Sequence, residues 1–179
     1  AKTKLIMVSH MINITGQILP VKKICRMAKN YGVQVLVDGA HCVGHFDFKI
    51  DELGCDYYGS SLHKWLATPL GAGLLYVDTK HIPNIWPLIA DHEKNPKKIQ
   101  RLSHTGTHPC STDLSIIDSI EYLNWIGIRR KEKRLHYLKS YWIDALKDNP
   151  RIIINTPYDN KRSCGIGNVG IRNIKPDLL

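Results

Sequence analysis

The first third of the chain alternates short apolar runs with one amphipathic segment. Residues 4–10 and 33–38 are apolar runs rich in branched side chains, which predict two buried strands. The segment 20–32 between them predicts a helix, with Pro20 in the first turn and Gly32 at the C-terminal cap. Its apolar stripe consists of Val21, Ile24, Cys25 and Ala28. A strand, a helix and a strand in this order predict a parallel, right-handed βαβ unit.

Two further apolar runs and a change of period follow. Residues 55–61 and 71–78 predict a third and a fourth strand. From Ser111 onward the apolar residues recur at helical spacing, as Leu114, Ile117, Ile120 and Leu123. Strands that alternate with helices in this way predict an α/β protein.

A glycine and a turn bound the next helix. Gly127 interrupts the helical pattern, which then continues to the turn at 148–150. The apolar face of this second helix consists of Ile128, Leu135, Leu138, Trp142 and Leu146. A short strand is predicted at 151–157, and the tail at 163–179 predicts another strand and the start of a helix. Because the chain begins and ends within such elements, we expect it to be part of a larger polypeptide.

Composition and charge narrow the class of protein. Of the 179 residues, 43% are hydrophobic and 23% are charged, which is typical of a soluble globular protein. No apolar run approaches the roughly 20 residues that span a bilayer, and no secretory leader is visible. The net charge of +9 allows nucleic-acid binding. A solvated helix face at 129–134 and a loop at 94–98 explain the basic runs better, so we expect no nucleic-acid and no membrane partner.

The cysteines and histidines give no pattern of a disulfide framework or a metal site. The five cysteines are widely spread and form no CxxC pair, which predicts reduced thiols in a cytoplasmic protein. His41 and His45 lie four positions apart, but the residues between them do not predict a helix. We therefore expect no metal ligands.

An acid and an amine follow two of the predicted strands. Asp38 ends the run 33–38, and Lys64 comes just after 55–61. Ligands of open parallel sheets bind outside the carboxyl ends of the strands, so both side chains are expected in one crevice. Pyridoxal phosphate needs a lysine for its Schiff base and a carboxylate beside its ring nitrogen, and burial would favour a neutral, nucleophilic amine. On spacing alone, Asp38 could also be a turn residue and Lys64 a surface residue.

The motifs DGAH and SSLHKW carry a resemblance to a known family. They lie in the segment 35–77, which resembles the lysine-site segment of class V aminotransferases. Segments 9–24 and 104–123 resemble the family segments before and after it, and 164–171 resembles the start of the family's small C-terminal domain. These fold-type-I pyridoxal-phosphate enzymes include cysteine desulfurases and isopenicillin N epimerase-like proteins.

The resemblance implies a domain organisation and an assembly. Residues 1–110 would form part of the cofactor-binding large domain, with a mostly parallel sheet and helices. Residues 111–150 would form connecting helices, and residues 151–179 would begin a small α+β domain. The family also implies an amino-acid substrate and a cytoplasmic homodimer whose cofactor site lies at the subunit interface.

The resemblance further implies roles around the cofactor ring. Lys64 would form the Schiff base with pyridoxal phosphate and move a proton between the substrate α-carbon and the cofactor. Asp38 would pair with the pyridinium nitrogen. Asn13 would hydrogen-bond the phenolic oxygen of the ring, and His41 would lie beside that oxygen. Asn13 could instead cap a loop, and His41 could be a packed histidine.

Three residues are implied at the cofactor phosphate. Ser61 and His63 would hold this group, and Thr107 would reach the phosphate bound by the neighbouring subunit. Ser61 could instead satisfy backbone groups, and Thr107 could belong to a simple turn. We expect Trp65 to be a core residue. The remaining histidines are expected to be surface or packing residues: His10, His45, His81, His92, His104, His108 and His136.

Other parts of the family's site have no counterpart in this sequence. In the family, a phosphate-binding loop and a ring-stacking aromatic residue lie upstream, and the substrate-binding arginine and the desulfurase cysteine lie downstream. Arg172 comes too early to be that arginine. The leading hypothesis is an epimerase-like enzyme, and the alternative is a cysteine desulfurase or selenocysteine lyase. A truncated, non-catalytic remnant that acts as a subunit or binding surface is the alternative of another class.

Overall fold

A four-stranded sheet dominates the first half of the computed structural model, which describes residues 2–90, 92–103, 106–107 and 109–174. Its strands, in spatial order, are β1 (Leu5–Ser9), β2 (Gln34–Asp38), β3 (Tyr57–Ser61) and β4 (Gly73–Val77). The first three are parallel, and β4 is antiparallel to β3. The chain reverses there because the connection at 62–72 contains no crossover helix. The predicted strands and the mostly parallel α/β sheet are confirmed.

Helix α1 (Val21–Asn30) covers one face of this sheet. Its buried residues belong to the same apolar cluster as the buried strand residues Val35, Val37 and Tyr58. Successive strand side chains point to opposite faces, so Leu36 and Asp38 lie on the face away from α1. The face that carries Asp38 is therefore the one on which a ligand has room.

The turn after β2 depends on a close backbone approach. Gly39 lies so near the Tyr58 ring that an added Cβ would stand 2.0 Å from the ring carbon Cζ. Its N–H donates to the Gly59 carbonyl at 2.8 Å, and the Ser60 hydroxyl donates to the Gly39 carbonyl at 2.9 Å. These contacts fix the direction in which the chain leaves Asp38.

Two helices follow, as predicted, on either side of Gly127. They are α2 (Ser111–Ile126) and α3 (Ile128–Leu146). The contacts of α2 with the buried cluster around Leu62 and Leu66 come from Ile116 and Leu123. In the described part of the chain, none of the helices combines the length and the hydropathy of a membrane span.

The basic run at 129–134 is more than the solvated face that the sequence predicts. Lys131 is half-buried and donates to the Trp65 carbonyl at 2.6 Å. The Glu132 carboxylate accepts the Asp47 N–H at 3.2 Å, and Arg129 pairs with the Asp47 carboxylate at 3.1 Å. The prediction is wrong for Lys131 and Glu132 because these polar groups join α3 to the loops that follow β2 and β3.

A two-stranded sheet ends the described chain. It pairs β5 (Ile152–Ile154) with β6 (Val169–Ile171) in antiparallel register. The loop between these strands surrounds the buried Lys139 of α3, whose ammonium donates to three oxygens of this loop, those of Tyr158, Asn160 and Ser163, at 2.8 to 2.9 Å. The predicted apolar face of α3 did not include Lys139, because a buried ammonium is stable only with such oxygen partners. The helix start predicted at the end of the tail falls on residues outside the described ones.

Candidate functional site

The carboxyl ends of β2 and β3 bring the predicted acid and amine to one edge of the sheet. Asp38 is the last residue of β2 and lies in register with Ser9 of β1 and Gly59 of β3. Lys64 follows the end of β3 by three residues. Because the strands are parallel, these ends face the same side of the sheet.

His41 lies between the two groups. Its Nε2 is 3.2 Å from the Lys64 Nζ, in hydrogen-bonding contact. Burial lowers the pKa of His41, the positive charge of Lys64 lowers it further, and the negative charge of Asp38 opposes them. The charges of Lys64 and Asp38 therefore both act on the His41 imidazole, which is neutral at pH 7.

Lys64 itself is exposed, in contrast to the buried amine expected from the sequence. The side chains of Leu62 and Leu66, which are 4% and 6% exposed, take the core positions of this loop. Lys64 lies between them in the sequence, and its own side chain is exposed and contacts His41.

The contact with Lys64 selects one form of the His41 ring. A protonated lysine can only donate, so the Nε2 of His41 must accept and its Nδ1 must carry the proton. This Nδ1 is buried and has no hydrogen-bond partner among the described residues. A buried donor without a partner is costly, which makes it a candidate contact for a bound oxygen atom.

A groove of about 230 Å³ lies beside Asp38 on the open face of the sheet. Its lining includes Ala40, Gly59 and Ser61. A Cβ added at Gly59 would meet no atom within 4 Å, so the floor of the groove is open. One Asp38 oxygen accepts the Ala40 N–H at 3.0 Å, and the described residues donate no hydrogen bond to the other.

These features suit a polar, flat ligand such as pyridoxal phosphate. The ring nitrogen of such a ligand needs the second Asp38 oxygen, and its anionic groups need donors. His63 Nδ1 is buried and, like His41 Nδ1, has no partner among the described residues. His63 and Ser61 are both half-buried and lie at the end of β3, next to Lys64.

Asn13 and Thr107 make no contact that ties them to Lys64 or Asp38. Asn13 is exposed in the turn that follows β1, and Thr107 is exposed in a bend at 106–107. Within the described residues, neither side chain forms a hydrogen bond with Lys64 or Asp38. Their implied roles at the phenolic oxygen and at the neighbouring subunit's phosphate stay predictions.

The other histidines have packing or surface positions where they are described. His10 is buried among aromatic rings and contacts the Tyr58 hydroxyl at 3.1 Å. His81 pairs with the Asp56 carboxylate at 2.6 Å, far from Lys64 at the opposite ends of the strands. His104 and His108 lie outside the described residues.

His45 is a packing residue, as the sequence predicts, but its contact with the candidate site was not predicted. It is 0% exposed and stacks on Trp65, with ring centroids 3.5 Å apart, so Trp65 is a packing residue as predicted. Its Nδ1 contacts the His41 carbonyl at 2.7 Å. The four-residue spacing of His41 and His45 was the available signal, but it reports a turn contact rather than a pair of metal ligands.

The two buried histidines predict a loss of stability in mild acid. Burial lowers the pKa of both His10 and His45 from 6.5 to about 4. Between these values the unfolded chain binds protons that the folded chain excludes, so the stabilising effect is complete above pH 6.5 and disappears as the pH falls towards 4. The expected loss is about 3 kcal/mol for each histidine.

Urea unfolding at pH 7.5, 5.5 and 4.5 measures this effect. The pKa of Asp56 is already below 3.8, because desolvation is outweighed by hydrogen bonds from His81 and Val35 and by Lys80, so this carboxylate titrates below the window. In a His10→Phe variant, which keeps an aromatic ring at this position, the pH-dependent loss should be about half that of the wild type. If His10→Phe lost as much free energy of unfolding between pH 7.5 and 4.5 as the wild type, half of the loss could not be assigned to His10.

Comparison with known proteins gives the family. The sequence model of aminotransferase class V matches residues 1–179. A probable cysteine desulfurase of Halalkalibacterium halodurans is 29% identical over 98% of this chain and 44% of its own length. Isopenicillin N epimerase of Streptomyces clavuligerus is 28% identical over 92% of this chain and 46% of its own length. The chain thus spans less than half the length of these curated relatives.

Solved structures show the same fold. A cysteine desulfurase from Escherichia coli superposes with a TM-score of 0.82 at 20% identity, covering 97% of this chain and 45% of that one. The apo structure of the cysteine desulfurase from Thermococcus onnurineus NA1 gives a TM-score of 0.76 at 24% identity, covering 97% and 46%. With a family match over its whole length and this partial fold-type-I architecture, the chain belongs to the class V aminotransferase family.

Proposed function

We propose that this protein holds pyridoxal phosphate between Asp38 and Lys64 and acts on an amino acid. The observation that carries the proposal is the meeting of both strand ends around His41, with 3.2 Å between the Lys64 Nζ and the His41 Nε2. Class V aminotransferases and cysteine desulfurases depend on this cofactor. The groove beside Asp38 and the unpartnered ring nitrogens of His41 and His63 fit its polar groups.

Each residue would contact a different part of the cofactor. Lys64 would hold it as a Schiff base, and Asp38 would keep its ring nitrogen protonated. Ser61 and His63 would bind the phosphate. When bound, pyridoxal phosphate supplies an electron sink that stabilises negative charge on the carbon next to the substrate amine.

His41 and Asn13 would contact the phenolic oxygen. The Nδ1–H of His41 is a donor in the tautomer that the Lys64 contact requires, and a phenolate oxygen is a suitable acceptor. Its lowered pKa keeps the ring neutral at pH 7, so His41 would stabilise the oxygen by donation without adding a full charge.

Lys64 would carry the proton chemistry. Its amine is exposed beside His41, and with a substrate α-carbon in reach it would accept a proton from that carbon and return it. Inversion follows when Lys64 takes the proton from one face and a water molecule delivers a proton to the opposite face, so racemisation balances in protons and needs no oxidant or reductant. His41, one hydrogen bond away, would hold the amine in reach.

Epimerase-like chemistry is the reaction that we favour, because it needs only these proton transfers. A desulfurase also needs a reactive thiolate. Burial raises the pKa of Cys42 and Cys164 to about 12, so neither of these thiols supplies it, while Cys110 is exposed. In a desulfurase of this family the thiolate would come from a downstream segment. A cysteine desulfurase is the second candidate, since a relative with that description aligns over 98% of the chain.

Two assays on the intact protein separate these reactions. The protein is incubated with pyridoxal phosphate and either L-cysteine or a panel of other L-amino acids. We expect loss of optical rotation and uptake of deuterium from D2O at the α-carbon, with little sulfide released. Sulfide release from cysteine at a higher rate than deuterium exchange on every other substrate would favour the desulfurase.

A non-catalytic remnant makes a different prediction. Such a protein would stay colourless with pyridoxal phosphate, while the proposed enzyme turns yellow.

The homodimer, in which Thr107 would contact the phosphate bound by the neighbouring subunit, belongs to the same proposal. A Thr107→Val change should then weaken cofactor binding only in the dimer.

A further inference from the structure

His45 uses both of its ring nitrogens inside the protein. The Gly165 N–H donates to Nε2 at 2.8 Å, and Nδ1 is 2.7 Å from the His41 carbonyl. A neutral imidazole has one donor and one acceptor. Because a backbone N–H can only donate, Nε2 accepts and Nδ1 carries the proton that it donates to His41. One tautomer therefore satisfies both contacts, and the pair of bonds fixes the ring orientation.

The His45 ring also packs on the residue that follows Lys64. It stacks on Trp65, the residue next to Lys64, with an interplanar angle of 15°. The Trp65 carbonyl accepts a hydrogen bond from Lys131 of α3. The same buried ring thus contacts the backbone of His41 and the side chain of Trp65, the residue that follows Lys64.

The C-terminal segment around Gly165 packs closely against the stacked rings of His45 and Trp65. A Cβ at Gly165 would lie 2.9 Å from the His45 Nε2 and 3.1 Å from the Trp65 ring. Two residues before Gly165, Ser163 is fully buried and accepts from the Lys139 ammonium at 2.8 Å. This segment is therefore anchored to α3 and contacts His45 without a side chain in between.

We propose that His45 is a positioning residue, which holds the His41 backbone and ring against the Lys64 amine and couples this geometry to the segment at Gly165. The proposal rests on the proposed function, because the position of the Lys64 amine matters for chemistry only if this amine reacts. A residue with only a packing role would stabilise the fold without affecting the His41 ring.

Two conservative substitutions separate the two contacts of His45. The side-chain amide of His45→Asn can donate from about the position of Nδ1 but does not reach Gly165. The longer side chain of His45→Gln can accept from Gly165 at about the position of Nε2. Both variants lose the stacked ring, so their losses of stability should be similar, and the pair remains informative even if a His45→Phe variant fails to fold.

The measurement is the tautomer of His41 in the cofactor-free protein, from nitrogen-15 shifts of labelled histidines. We expect the Nδ1–H form in the wild type and in His45→Asn, and a mixture of tautomers in His45→Gln. In the cofactor-loaded protein, kcat should fall about tenfold or more in His45→Gln, with KM within about twofold, and should be largely retained in His45→Asn.

Identical His41 spectra and kcat values in the two variants would overturn the proposal. The proposal would also be overturned if His41 kept its wild-type tautomer in both His45→Asn and His45→Gln. The spectra require neither cofactor nor turnover, so they test His45 even if Lys64 turns out not to bind pyridoxal phosphate. Labelling of a different lysine by the cofactor would refute the proposed function and leave the tautomer result valid.

Discussion

Replacing Lys64 with alanine is expected to reduce turnover of the amino-acid substrate by on the order of 10³-fold or more. The change removes both the amine that would hold the cofactor and the group that would move the substrate proton. The free energy of unfolding should stay within about 0.5 kcal/mol of the wild type, because Lys64 is exposed and its neighbours Leu62 and Leu66 form the core contacts.

Two further variants serve as controls for this prediction. Lys64→Arg keeps a cation that can donate to His41, but a guanidinium cannot act as the amine, so activity should be lost equally. Lys22→Ala removes an exposed lysine of α1, on the covered face of the sheet, and should have full activity. An active Lys64→Arg protein would show that positive charge, and not amine chemistry, is the role of this position.

Replacing Gly59 with valine is expected to weaken pyridoxal-phosphate binding at least about tenfold without loss of stability. The added Cβ has no atom within 4 Å, so the change fills the groove beside Asp38 and not the core. A glycine inside a strand also costs roughly 0.5–1 kcal/mol, so the variant should unfold at a slightly higher urea concentration.

The matched control is Gly170→Val in β6. Gly170 is also a strand glycine, and its added Cβ would come no closer than 3.8 Å to another atom. Its substitution should leave cofactor affinity unchanged in a spectrophotometric titration. Equal affinity in the Gly59 variant and the wild type would show that the cofactor does not use this groove.

The sheet could be predicted from sequence because its signals are local. The branched runs of β1 and β2 and the stripe of α1 each follow from the alternation of burial within one element. The position of Asp38 and Lys64 at one edge also follows, since parallel strands share their carboxyl ends. The direction of β4 depends on the connection before it, which carries no periodic pattern.

Contacts between distant segments could not be predicted in this way. From the sequence alone, Lys139 is expected to be a surface lysine. Its burial depends on the oxygens of Tyr158, Asn160 and Ser163, which only the folded chain brings around it. The exposure of Lys64 depends on which side of its loop packs, and the contact of His45 with Gly165 joins residues 120 positions apart. Each depends on tertiary packing that no window of sequence contains.

Fixing the cofactor with borohydride tests the central claim most directly. The intact protein is incubated with pyridoxal phosphate, reduced with borohydride and digested, and the modified lysine is located by mass spectrometry. The proposed site predicts one major labelled peptide, with the phosphopyridoxyl group on Lys64, and no such peptide in Lys64→Ala. A major label on any other lysine, or equal labelling of many, would contradict the proposed cofactor site.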